Sequence, residues 1–142
     1  MEVLDVRQSA LTCFETLELL NEVSISSAKH KKQKSYSTLL YSTKKYLRSR
    51  PASVQTKEGI ANLMRLIKPF KLTPAEILQL IDLRPTTAVE LSLIVEESEA
   101  RLSGEQEATI LELIAENLPE PEALGAEVDL VEHRKHLNSV SS

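Results

Sequence analysis

Three short segments of one form follow one another in this chain: Thr73-Pro74-Ala75-Glu76, Thr87-Ala88-Val89-Glu90 and Ser103-Gly104-Glu105-Gln106. Each is a Ser or Thr followed three residues later by Glu or Gln, just ahead of an apolar run. At that spacing the hydroxyl accepts from the N–H of the third helical residue. The longer side chain reaches back to the N–H of the cap, so two donors that a helix start leaves without partners are satisfied. Pro74 adds a preset φ at the first helical position. Helix starts this closely spaced leave room only for helices joined by tight turns, which must then pack as neighbours.

Apolar spacing supplies the remaining elements. Leu11, Phe14, Leu17 and Leu20, with Ala10 and Leu19, predict a helix over 9–23 with Ser9 as its N-cap. Leu39, Leu40, Thr43, Tyr46 and Leu47 predict a second over 38–49, ended at Arg50-Pro51 because a residue before Pro is pushed out of the α region. Ile60, Leu63, Met64 and Ile67 form one face of a third, closed by Pro69. Ile77, Leu78, Leu80 and Ile81 follow the first capping box and stop at Arg84-Pro85. The second box opens what reads as a single helix to Ser103, burying Leu91, Ile94, Val95 and Leu102. The third leads into Ile110, Leu111, Leu113, Ile114 and Leu118, before Pro119 and Pro121. Residues 1–8 alternate loosely, the pattern of a short strand.

The expected fold is therefore all-α, a helical bundle over 38–118. Ahead of it stand an N-terminal strand and helix over 1–23 and a flexible basic linker over 24–37. An acidic, mostly mobile tail over 119–142 follows. Aromatics make up only 4% of the chain and Trp is absent, so the core must be aliphatic.

Composition narrows function. The three glycines, at 59, 104 and 125, are too scattered for a loop that cradles phosphate with backbone N–H groups. Cys13 stands alone, so no internal disulfide can form and a reducing, intracellular setting is expected. The start lacks a signal-like apolar run, and stretches such as Leu93-Ile94-Val95 are far too short to span a membrane. The net charge of −4 hides a division: Lys29 to Lys71 holds twelve basic residues and one acid, while Ala75 to the end holds four basic residues and fifteen acids. A basic middle can meet nucleic acid or an acidic protein surface, and an acidic end repels the former.

Candidate chemistry is sparse. His133 and His136 have a spacing that can face one metal, but no Cys or second ligand pair accompanies them and closed structural sites need four ligands. No metal or cofactor is expected. Glu96, Glu97 and Glu99 could serve acid–base catalysis only in a shaped, partly dry cleft. With Glu97 and Arg101 at i, i+4 they read instead as a solvated helix face. Arg84 and Glu90 admit two readings: an ion pair fixing the angle between two helices, or Arg84 capping carbonyls while Glu90 closes its capping box. Lys31, Lys32 and Lys34, with Tyr36 and Tyr41 nearby, read as a self-repelling linker with weak electrostatic contact to single-stranded nucleic acid. No catalytic set emerges.

Residues 72–106, LTPAEILQLIDLRPTTAVELSLIVEESEARLSGEQ, carry a resemblance. The marks are the Leu-Thr before Ala75-Glu76, the Leu-Gln-Leu at 78–80, Arg84-Pro85, Ala88-Val89-Glu90, the run Val95-Glu96-Glu97-Ser98-Glu99 and Arg101-Leu102. With the opening MEV and the helix of Phe14, Leu17 and Leu20, the chain resembles the small stalk subunits of RNA polymerase III. That family is also called calcitonin gene-related peptide receptor component and is related to the small stalk protein of archaeal RNA polymerase. The resemblance implies an HRDC-like helical domain preceded by a segment that docks on a larger, OB-fold stalk subunit. It also implies a nuclear, non-catalytic role with the polymerase core and initiation factors, at small non-coding RNA genes. Val3, Leu4, Val6, Phe14, Leu17 and Leu20 are then expected to face the partner. Two other classes remain: an independent nucleic-acid-binding helical module, and the receptor-signalling adaptor that the second family name implies and no residue here supports.

Overall fold

The computed structural model describes residues 10–27 and 34–121. Among these the chain is all α. Its helices are α1 (Cys13–Ser27), α2 (Lys34–Arg48), α3 (Lys57–Ile67), α4 (Pro74–Leu83), α5 (Ala88–Ile94), α6 (Ser98–Arg101) and α7 (Gly104–Asn117), with 3-10 turns at Pro51–Ser53 and Lys68–Phe70. The strand expected over 1–8 lies outside the described residues.

All three capping boxes form as the sequence spacing requires, at the starts of α4, α5 and α7. A fourth opens α1. The Thr12 hydroxyl accepts from the Glu15 N–H at 3.2 Å, and the Glu15 carboxylate accepts from the Thr12 N–H at 2.8 Å. The helix therefore begins at Cys13 and not after Ser9.

Three other expectations are corrected. First, α1 runs to Ser27 and α2 opens at Lys34, so 24–27 and 34–37 are helical where linker was expected; 28–33 lie outside the described residues. Lack of apolar periodicity does not prevent helix where neighbouring turns already supply the hydrogen-bonding frame. Second, the stretch from Thr87 to Ser103 is two helices. Val95 is extended and Glu97 is left-handed (φ 52°), which turns the chain sharply between α5 and α6 and leaves Ile94 only half-buried. Third, Met64, Leu39 and Tyr46 point outward; α2 is seated instead by Leu47, with Leu40 and Thr43 half-buried.

The core is aliphatic. Ile60, Leu63 and Ile67 of α3 meet Leu80 and Ile81 of α4, Leu91 of α5 and Ile110 and Ile114 of α7, with Leu72, Val95, Leu102 and Leu118 from the connections. Leu63, Leu80, Leu91, Ile110, Ile114 and Leu118 have no exposed surface. Full burial of such a side chain is worth about 1.5–3 kcal/mol, so this cluster is the main stabilising feature of the fold. Helices α3 and α7 approach closely at Gly59. A Cβ on Gly59 would overlap the Asn117 carbonyl oxygen, so only glycine lets the first turn of α3 lie against the end of α7.

Helix α1 belongs to this body. The Cys13 N–H donates to Asp82 Oδ1 at 2.8 Å, Glu18 pairs with Lys57 at 3.2 Å, and Lys44 Nζ donates to the Ser24 hydroxyl at 3.2 Å. These contacts tie α1 to α4, α3 and α2 in turn, and Phe14 packs against the core.

Candidate docking surface and the clamp beside it

The N-terminal residues expected to meet a partner separate into two groups. Val3, Leu4 and Val6 lie outside the described residues. Phe14 and Leu20 are half-buried, and Leu17 is 8% exposed, so this chain already covers most of Leu17. The apolar side chains that α1 and its approach present outward are Leu11, 48% exposed, and Leu19, 49% exposed. Helical spacing alone cannot distinguish them from the buried set, because α1 is apolar on more than one face. Leu19 on α1 and Leu11 just ahead of it are therefore the apolar side chains this segment leaves to solvent.

The motif residues build a structural clamp. Glu76, in the first turn of α4, is 6% exposed and serves three partners at once. One carboxylate oxygen closes the capping box with the Thr73 N–H. Across both oxygens lies the Arg101 guanidinium, Nη1 at 2.6 Å from Oε1 and Nη2 at 3.0 Å from Oε2. Oε1 also accepts from the Glu96 N–H at 3.3 Å, and Arg101 donates to the Glu96 carbonyl at 2.9 Å. The Arg101 hydrogen bond, with those from Thr73 and Glu96, holds the Glu76 carboxyl at a pKa of about 2, against the opposing effect of burial. The clamp thus braces the α5–α6 turn, where the left-handed Glu97 stores backbone strain. The i, i+4 pairing expected between Glu97 and Arg101 does not form: the broken helix sends Arg101 back to α4.

Arg84 and Glu90 resolve to the second of their two readings. Arg84 ends α4 in a left-handed conformation (φ 47°) and its Nε donates to the Leu118 carbonyl at 2.8 Å, closing the chain after α7. Pro85, next in the chain, is buried. The Glu90 carboxylate accepts from the Thr86 N–H at 2.7 Å and the Thr87 N–H at 3.2 Å, and these bonds, the Thr86 N–H foremost, lower its pKa. Glu96, Glu97 and Glu99 are exposed. The basic trio is only partly placed: Lys34 begins α2, while Lys31 and Lys32 lie outside the described residues.

The Thr12–Glu15 box shows in the sequence as Thr-Cys-Phe-Glu, with the spacing of the other three. The second role of Glu76 leaves no such trace, because nothing local links positions 76 and 101.

The body from α1 to α7 coincides with a known sequence pattern: the profile of the family described as RNA polymerase Rpb4 matches residues 10–118. The chain belongs to the RNA polymerase Rpb4 family. The match begins just before α1, in keeping with α1 being bonded into the body. Within this setting the chain is also similar to DNA-directed RNA polymerase III subunit rpc9 of Dictyostelium discoideum, 27% identical over 110 residues that cover 70% of this chain and 78% of that relative. Among the described residues of this Rpb4-family chain, no helix is long and apolar enough to cross a membrane.

Proposed function

We propose that this chain is a non-catalytic, nuclear subunit of RNA polymerase III that forms a stalk heterodimer with a larger, OB-fold subunit. In that position it supports initiation at small non-coding RNA genes, with the polymerase core and initiation factors as further partners. The observation that carries the reading is the Rpb4-family match over the whole α1–α7 body, with similarity to a relative named as a polymerase III subunit. Docking uses the N-terminal segment with Val3, Leu4 and Val6, continued by Leu11 ahead of α1 and Leu19 on it. A few apolar anchors of this kind dominate a typical interface. The test is mass spectrometry of proteins that co-purify with the tagged chain from nuclear extract. Recovery of polymerase III subunits in stoichiometric amounts is expected; recovery without any polymerase subunit overturns the reading.

One observation favours a nucleic-acid contact in addition. All three tyrosines of the chain lie exposed on α2, among Lys44, Lys45 and Arg48, and the Arg50 guanidinium sits 5.8 Å from the Tyr46 ring centroid. Basic residues with exposed aromatics suit a single strand, which stacks bases and neutralises phosphates. Binding of a labelled oligouridine should weaken steeply with salt. It should fall on charge reversal of Lys31, Lys32 and Lys34, and salt-independent binding excludes the contact.

A further inference from the structure

The two most exposed large apolar side chains among the described residues stand one helical turn apart on α5. Val89 is 71% exposed and Leu93 is 82% exposed. At i, i+4 they share the face opposite Leu91, which is buried. Isolated exposed leucines are ordinary; a pair set on a fixed face is a surface. This face is fixed, since α5 is opened by a complete capping box and followed by the turn that the Glu76–Arg101 clamp braces.

The charge around the pair selects its partner. From Pro85 to Pro121 the chain has nine acids and one basic residue, Arg101. That guanidinium is engaged by Glu76 and by the Glu96 carbonyl. Glu96 and Glu97, both exposed, stand three and four residues after Leu93 on the turn out of α5. The apolar pair therefore lies in an acidic stretch whose one cation is committed to Glu76. Nucleic acid and anionic membranes are repelled by such a stretch, and a second copy of the same face would set acid against acid.

We propose that Val89 and Leu93 form a docking site for a basic amphipathic segment of another protein, its apolar anchors covering the pair while its Lys or Arg side chains meet Glu96 and Glu97. An amphipathic helix with anchors at i and i+4 is the form that fits a face of this size. The site is distinct from the α1 surface and does not depend on which assembly holds the chain.

The test titrates the full-length chain against a labelled synthetic Lys/Leu amphipathic peptide and a counterpart with every Lys replaced by Glu, read by fluorescence anisotropy. The Lys/Leu peptide should bind saturably and the Glu/Leu peptide should not. Val89→Ser with Leu93→Ser should weaken binding at least about tenfold, as removal of central anchors does. Both side chains are exposed, so an unchanged circular dichroism spectrum is expected for that variant. Glu112→Gln, on α7, should change affinity by less than about twofold. Absence of Lys/Leu binding, equal binding of the two peptides, or undiminished binding by the Ser variant overturns the proposal.

Discussion

Arg101 lies across the carboxylate of Glu76, a residue twenty-five positions earlier in the chain, with one guanidinium nitrogen on each oxygen at 2.6 and 3.0 Å. Glu76 is almost wholly buried, whereas the Arg101 side chain is 30% exposed. The pair therefore joins the start of α4 to the end of α6 through one desolvated charge and one that water still reaches. Removing the arginine leaves the buried carboxylate with only the Thr73 and Glu96 N–H donors and no counter-charge.

Arg101→Ala should destabilise the protein, because the buried Glu76 carboxylate loses its counter-charge, but by less than breaking a fully buried pair would, since water already reaches the arginine. Glu76→Gln separates the two roles of position 76, since Gln also closes a capping box. Its cost then reports on the clamp alone. Chemical denaturation of both variants is the measurement. An unchanged denaturation midpoint for Arg101→Ala would make the clamp incidental.

The same pair sets an acid limit on stability. The Glu76 pKa falls from 4.5 to about 2 on folding, so its ionised form is the one the fold prefers. A lowered folded-state pKa contributes stability that is present above the unfolded value and is lost as pH falls through the folded one. Glu76 should therefore cease to stabilise the protein between pH 4.5 and about 2. Thermal melts across that window should show a smaller decline for Glu76→Gln than for the unmodified chain, and parallel declines would refute the assignment.

Gly59→Ala is predicted to destabilise, against helix propensity, which favours Ala by about 0.8–1 kcal/mol. The added methyl overlaps the Asn117 carbonyl, and backbone cannot swing aside as a flexible side chain does. A net loss of about 1–3 kcal/mol is expected, as for overpacking elsewhere. Increased stability in a denaturant titration would show that α3 and α7 separate easily.

Removing the unforeseen cap tests whether α1 depends on its own start. Thr12→Ala should cost about 1 kcal/mol and fray the first turn, loosening the Cys13 to Asp82 bond that seats the helix. Faster amide hydrogen exchange at Cys13 and Glu15, with α7 unchanged, is the expected result. Uniform exchange rates throughout would mean that packing of Phe14 and Leu17 holds the helix alone.

Leu91→Ala should cost about 2–5 kcal/mol, since its side chain has no exposed surface. Glu96→Gln with Glu99→Gln should stay within about 0.5 kcal/mol, the usual range for surface positions. The comparison by thermal denaturation separates the two sides of the segment that reads as one helix from sequence. Comparable losses would give the exposed acids a role that their positions do not indicate.

What the sequence determined by itself was local. A hydroxyl and a carboxylate three residues apart can satisfy each other's backbone donors wherever they stand, so three helix starts were legible and a fourth, at Thr12, carried the same mark. The aliphatic core was legible too, since a chain without Trp and with 4% aromatics has little else to bury. Leu91, Val95 and Leu102 are buried as the apolar spacing predicted, although the helix expected to carry them is broken. Only the tertiary structure decided that break. Arg101 and the Glu96 backbone find their partner on α4, and pairing across twenty-five residues has no periodicity to betray it. The outward faces were decided in the same way. Leu17 and Leu19 have similar apolar character, and Leu39 and Leu40 are identical in kind, yet one of each pair is exposed more than its neighbour because α1 and α2 lie on the bundle at particular rotations. A single apolar helix can be turned to bury either neighbour; its packing against the remaining helices selects which.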